Sequence, residues 1–217
     1  MFTIALIARK GGSGKTTLGV HLALAAHLRG EHVLIADVDP QRSSVEALRP
    51  RQALGPRTVA TTGLQLSGLQ MDAVRQHCGL MLIDTAAGVA EDGAKAIVLA
   101  DLSLIVVRPT YLDLAAAIES VMMVRRLHKP LLLVLNQAPP PRDGVEAPAV
   151  RRALKALSVL KQPVAPTIIR ARQIYQSSLE TGRTAEELAH PAAAQDIAEL
   201  LAYIRHDVSE MRHRAAS

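Results

Sequence analysis

The segment Arg9-Lys10-Gly11-Gly12-Ser13-Gly14-Lys15-Thr16-Thr17 constrains this chain more than any other. It follows a continuously apolar run, Thr3–Ala8, and opens a helical pattern over Lys15–Arg29 that Gly30 stops. A strand, a glycine-rich turn and a helix in that order make a phosphate-binding loop. Glycines reach backbone conformations closed to other residues, so successive N–H groups can converge on phosphate oxygens. The helix N-terminus adds unpaired donors and partial positive charge. In such a loop Lys15 reaches the outer phosphates, the Thr16 hydroxyl ligates Mg²⁺, and Thr17 lies near the innermost phosphate. The usual spacing would put a glycine at position 9; here Arg9 stands there, and a lysine follows at position 10.

The rest of the chain repeats the same alternation. Apolar runs of strand length lie at His32–Ala36, Leu80–Ile83, Leu102–Val107 and Leu131–Leu135, with a weaker one at Pro166–Ile169. They are continuously apolar, as strands buried on both faces are. Helical patterns fall at about Glu91–Ala100, Leu112–Leu127 and Ala149–Leu157, and a last one carries Ala193, Ile197, Leu200, Leu201, Ile204, Val208 and Met211 at three- and four-residue spacing. Strands alternating with helices imply right-handed crossovers and an α/β fold: one doubly wound, mainly parallel sheet flanked by helices. Residues 1–217 read as a single domain. Residues Arg49–Ser67 give no clear pattern, and Pro139–Pro148 reads as a loop.

Composition narrows the function classes. Aromatics are 2% of the chain, too few for base-stacking platforms. The single cysteine, Cys78, excludes an intrachain disulfide framework and a multi-cysteine metal site within one subunit. No apolar run has the length of a membrane span, and the apolar start is too short for a secretory signal, so a cytoplasmic location is expected. A net charge of +5 favours polyanionic partners.

The loop K-G-G-x-G-K-T resembles the deviant Walker A ATPases of the ParA/MinD type, whose signature lysine is matched by Lys10. The resemblance implies ATP and Mg²⁺ as ligands. It also implies a homodimer with ATP sandwiched between subunits, Lys10 crossing to the partner's phosphates as an arginine finger does. Asp37-Val38-Asp39-Pro40-Gln41 follows the second apolar run and is similar to the family's D-x-D-P-Q switch. By that likeness Asp39 orients the attacking water and Asp37 serves the outer shell of the metal. Asp84-Thr85-Ala86-Ala87-Gly88 resembles a Walker B strand end running into a D-T-x-x-G switch, with Asp84 holding Mg²⁺ through water and Gly88 sensing the γ-phosphate. The commoner form has two prolines where this chain has Ala86-Ala87. Asn136 matches the family's adenine-contacting asparagine, and Pro166 is expected to flank the base.

The resemblance further implies a positioning ATPase. It would bind nonspecific DNA in its ATP form, associate with the nucleoid, segregate DNA or another large cargo, and be released when a ParB-like or cargo-adaptor protein stimulates hydrolysis. Arg170, Arg172 and Arg205 are the candidate DNA-binding residues, with Arg212 and Arg214 further along the tail. The first strand begins within three residues of Met1, so no N-terminal helix-turn-helix domain is expected. Two rivals share the loop: a MinD-like membrane-cycling ATPase and an ATP-dependent carboxylate-activating synthase. The last helix has no Phe or Trp in its apolar stripe and a mixed-charge polar face, which disfavours the membrane.

Overall fold

The computed structural model describes residues 1–88 and 91–216, with side chains described through residue 206. Six parallel strands form one sheet: β1 (Phe2–Ile7), β2 (Val33–Asp37), β3 (Arg57–Ala60), β4 (Leu80–Asp84), β5 (Leu102–Val107) and β6 (Leu131–Leu135), in the order β3-β2-β4-β1-β5-β6. Every residue of β1, β2, β4, β5 and β6 is buried. That is why their sequences run apolar without alternation: each side of the sheet is covered. One layer is built by α1 (Lys15–Leu28) and α8 (Pro191–Ala216) against Ile4, Leu6, Val33, Ile35, Leu82 and Leu104. The other is built by α3 (Leu66–Arg75), α4 (Glu91–Leu99), α5 (Tyr111–Arg126) and α6 (Pro148–Ser158) against Ala5, Ile7, Ala36, Ile83, Ile105 and Leu133.

Three short pieces complete the chain: α2 (Ser43–Leu48), α7 (Ile174–Ser177) and a 3-10 turn at Ser178–Thr181. The sequence reading located five of the six strands. The sixth is not Pro166–Ile169, which stays outside the strands: the chain there runs beside β6 and the residues after it, with the isolated bridges Leu133↔Val164 and Ala138↔Arg170 and the bond from Ile169 N–H to the Leu135 carbonyl, but builds no regular ladder. The true sixth strand is β3, inside the stretch that gave no pattern. It has four residues, partly solvent-facing at the sheet edge, so no apolar run marks it. The last helix is present as read, and Ala193, Ile197, Leu200, Leu201 and Ile204 are all buried. The side chains of Val208, Met211, Arg212 and Arg214 lie outside the described residues.

The register sets the site. Asp37 at the end of β2 pairs with Asp84 at the end of β4, and Asp84 pairs in turn with Leu6 at the end of β1. Two carboxylates and the glycine loop are thereby brought to one carboxyl-terminal rim of the sheet, the place where open α/β sheets bind ligands.

Candidate functional site

The loop after β1 leads into α1 through Gly12 (φ +74°) and Gly14 (φ +86°), both in the left-handed region. At Gly14 the need is steric as well as conformational: a Cβ there would stand 2.5 Å from Asn136 Nδ2 and 2.9 Å from Gln137 Nε2. Those two amides hold the loop from outside. Asn136 Nδ2 donates to the Ser13 carbonyl at 2.8 Å, and Gln137 Nε2 donates to the Gly12 carbonyl at 3.0 Å. With its carbonyls turned outward and tied, the loop is left to present N–H groups inward.

Lys15 opens α1 and is 7% exposed. Burial lowers its pKa, while Asp84 and Asp39 pull it back up. Among the described residues its ammonium makes no hydrogen bond and no ion pair within 4 Å. A buried cation with charge in reach and no partner in contact is poised to receive an anion. Thr16 Oγ1 donates its one proton to Asp84 Oδ2 at 2.7 Å, so only lone pairs of that hydroxyl can face the cleft, which suits a cation ligand. Ser44 Oγ donates to the same oxygen at 2.6 Å. The other oxygen, Asp84 Oδ1, is buried and has no hydrogen-bond partner. Burial pushes the Asp84 carboxyl up to about 6.

Asp37 is equally buried, and burial raises its pKa too. Its carboxylate accepts three backbone N–H groups: Asp39 at 3.0 Å, Ser44 at 2.9 Å and Val45 at 3.3 Å. It therefore caps α2 and closes the switch loop on itself. Asp39 projects further, lining the phosphate cleft while its Oδ1 accepts from Gln41 N at 2.9 Å. Pro40 and Gln41 are exposed at the tip. In the second switch, Thr85 Oγ1 donates to the Leu6 carbonyl at 2.7 Å, and Gly88 (φ +99°) donates its N–H to the Ala8 carbonyl at 3.3 Å. The second switch is thus anchored to the end of β1, which carries the loop, and the first to the ends of β2 and β4.

A cleft of about 530 Å³ is lined by Gly11 through Thr17, Asp39, Gln41, Ala86 and Ala87. A second cleft of about 280 Å³ adjoins it, sharing Gly14 and Thr17, and is lined by Asn136, Ile169 through Gln173, His21 and Tyr175. His21 Nε2–H donates to the Tyr175 carbonyl at 3.0 Å, and the two rings meet edge to face. A polar cleft continued by a more apolar one fits a phosphate chain attached to a flat organic group. Pro166 is exposed and outside this lining; residues 169–173 occupy the flank expected of it.

The three arginines expected to meet DNA are each neutralised. Arg170 forks onto Glu146 at 2.9 and 2.6 Å, Arg172 pairs with Asp196 at 3.1 Å, and Arg205 pairs with Glu31. Arg170 and Arg172 instead line the second cleft. Lys10 is half-buried and forms no ion pair or hydrogen bond among the described residues, whereas its neighbour Arg9 reaches Glu119 on α5 at 2.7 Å. Sequence reasoning missed Ser44, which joins the two aspartates, its backbone N–H donating to Asp37 and its hydroxyl to Asp84. Ser43-Ser44-Val45-Glu46 carries the S-x-x-E signature of a helix start, which would have exposed α2 and this serine with it. It also missed Gln137 and Arg108, whose guanidinium forks onto Asp113 at 3.0 and 3.2 Å beside Gly12.

Among the described residues no group of three or more His, Cys, Asp or Glu could hold a metal by themselves. The donor set fits Mg²⁺ delivered with phosphates, which takes one or two carboxylates and fills the remaining positions with phosphate and water. Thr16 and the bare oxygen of Asp84 are the residues to hold it.

The buried carboxyl gives a stability prediction. A carboxyl with a folded pKa above its ordinary 3.8 supports folding below that value and loses this support as pH rises toward about 6. At neutral pH the charged form costs the fold about 3 kcal/mol by this reckoning. Asp84→Asn, neutral and of the same shape, is expected to raise the melting temperature of the nucleotide-free protein at neutral pH. The gain should shrink as pH falls below about 6 and vanish below about pH 3, where the wild-type carboxyl is protonated in both states. Thermal melts across this range check it, and a variant less stable than wild type at neutral pH would contradict it.

The family model for the CobQ/CobB/MinD/ParA nucleotide binding domain matches residues 4–213. Two curated relatives are both called "Maintenance of carboxysome distribution protein A". That of Gloeobacter kilaueensis is 32% identical over 82% of this chain and 81% of its own length. That of Halothiobacillus neapolitanus is 30% identical over 92% and 94%. Among solved structures, an aspartate-to-alanine variant of Cyanothece McdA in complex with ATP superposes with a TM-score of 0.74 at 17% identity, covering 92% of this chain and 95% of that one. At that identity the likeness shows the fold alone.

Proposed function

Because this chain belongs to the CobQ/CobB/MinD/ParA nucleotide-binding domain family, we propose that it is a Mg²⁺-dependent ATPase that dimerises over ATP and uses the cycle to position a large cargo. One observation carries the reading. A buried, uncontacted lysine, a hydroxyl offering only lone pairs and a bare carboxylate oxygen converge on one glycine loop. Each is costly to bury alone, and a Mg-triphosphate answers all three.

The roles follow from position. Loop N–H groups and Lys15 hold the β- and γ-phosphates; Thr16 and Asp84 hold Mg²⁺, with Asp37 behind the shell. The metal, when bound, neutralises charge on the phosphate oxygens. Asn136 has spent one of its two amide N–H groups on the loop, which leaves the other to donate and the carbonyl oxygen to accept at an adenine edge. Asp39 stands in the phosphate cleft and orients the attacking water. Gly88 and Ala86-Ala87 report the terminal phosphate. Lys10, without an ion-pair or hydrogen-bond partner among the described residues, completes the neighbouring subunit's site.

The cargo reading draws on the relatives' name, which speaks of carboxysome distribution; here it becomes a proposal for a large protein assembly or a DNA molecule. The ATP dimer would bind nonspecific DNA and sit on the nucleoid, and a ParB-like or cargo-adaptor protein would speed hydrolysis. A membrane-cycling variant of this scheme finds no support in the described part of α8, where Ala193, Ile197, Leu200, Leu201 and Ile204 are buried against the sheet. No helix among the described residues is long and apolar enough to cross a membrane.

Lys10→Ala tests the central step. With a non-hydrolysable ATP analogue, wild type should sediment as a dimer and the variant as a monomer, while nucleotide binding to the monomer stays within a few-fold. A variant dimer as strong as wild type would remove the cross-subunit role.

A further inference from the structure

From Ser120 to Leu179 the chain carries ten lysines and arginines and only two acids, Asp143 and Glu146. Glu146 is consumed by Arg170, and Arg172 is consumed by Asp196. Of the eight left over, Lys129, Arg142 and Lys161 lie in loops, and the other five fall on α6 and the end of α5, two helices packed on one another over the same face of the sheet. Arg151, Arg152 and Lys155 of α6, together with Arg125 and Arg126 of α5, are all exposed, and none forms an ion pair among the described residues.

The arrangement works against the helix that bears it. Arg151 and Arg152 fall early in α6, near the positive end of its dipole. Arg151 and Lys155 are four apart and Arg152 and Lys155 three apart, so like charges share one ridge with no acid between them. Arg125 and Arg126 in the last turn of α5, and Lys155 in the last turn of α6, have a structural reason to be there; Arg151 and Arg152 have none. Right-handed crossovers run α5 and α6 in the same direction, so the cations extend along the flank rather than clustering at one point. An eleven-residue helix is about 16 Å long. That length faces several phosphates of a duplex, which carries one charge per about 1.7 Å of axis.

We infer that the exposed ridge of α6, extended by the end of α5, is the surface that meets the DNA phosphate backbone. This rests on the ATP-gated DNA binding proposed above and assigns its face, in place of Arg170, Arg172 and Arg205. Duplex DNA fits better than an anionic bilayer because the apolar residues of α6 face inward: Val150, Ala153 and Leu157 are in the core and Leu154 packs against it, which leaves the isolated Val159 just past the helix, and Met122 and Ile118 on α5, exposed, with no Phe or Trp to insert. With phosphate contacts alone the binding reads no sequence.

The test compares wild type, R151A/R152A and R205A for binding to a random-sequence duplex, with ATP analogue and with ADP, over a salt series. Wild type is expected to bind in the ATP form. R151A/R152A should weaken it at least roughly tenfold at moderate salt and reduce the slope of log affinity against log salt by about two, near 0.9 per lost phosphate contact. Its ATP affinity should be unchanged, which certifies the fold. R205A should keep the wild-type slope. If R151A/R152A binds DNA like wild type, the face is wrong while the DNA-binding reading stands. If wild type binds no duplex in either nucleotide at low salt, that reading fails and the inference with it. If wild type binds phosphatidylglycerol vesicles in place of DNA and the double variant does not, the ridge is a lipid surface and DNA is overturned as its occupant.

Discussion

Lys15→Ala is expected to abolish ATP binding at micromolar concentrations. The side chain is the one cation buried inside the phosphate cleft, and desolvation already lowers its pKa, so its charge is held for an anion that has yet to arrive. Removing one member of a buried, hydrogen-bonded charge pair costs about 3 kcal/mol or more, roughly a hundredfold in affinity. Without nucleotide the protein itself should be little affected or slightly more stable, because the variant no longer buries an ammonium without a contact. Calorimetric titration of Mg-ATP, with a thermal melt as control, separates the two effects. Binding within threefold of wild type would mean that the loop amides alone hold the phosphates.

Asp39→Ala is the second large effect and has the opposite signature. Asp39 lines the cleft but holds only its own turn, through Gln41 N, so its loss leaves the loop, Lys15, Thr16 and Asp84 in place. ATP affinity should stay within a few-fold, while single-turnover hydrolysis falls by about 10²–10⁴, the range of a lost general base or water-orienting group. The dimer should then persist in ATP, since nothing discharges it. Equal hydrolysis in variant and wild type would move the water role elsewhere.

Much of this site was legible because its chemistry is local. Gly12, Gly14, Lys15 and Thr16 lie within five residues and need only one strand before them and one helix after. Asp37 and Asp84 were legible for a different reason. Each ends a wholly apolar run, and the ends of neighbouring parallel strands must lie on one rim. The reading stopped where sequence distance grew. Pro166 was placed by counting from an expected strand that does not form. Arg170, Arg172 and Arg205 were unreadable for a general reason: their carboxylate partners lie 24, 24 and 174 positions away, and nothing in a charge pattern says which charges will cancel. The α6 ridge escaped for the reverse reason, since an amphipathic helix looks the same whether its outer charges meet water or a ligand.

Asp37 grips the backbone on both sides of the first switch, at Asp39 and again at Ser44 and Val45. The few residues between are therefore a short arch with both feet bolted to one carboxylate, and one foot, Ser44, also holds the oxygen of Asp84 opposite the bare one. A visiting protein that pressed on the exposed Pro40–Gln41 crown would have little slack to take up. Its push would travel through a single serine to Asp84, the carboxylate proposed to hold magnesium, so on that reading turnover is hastened from outside without any subunit swinging open.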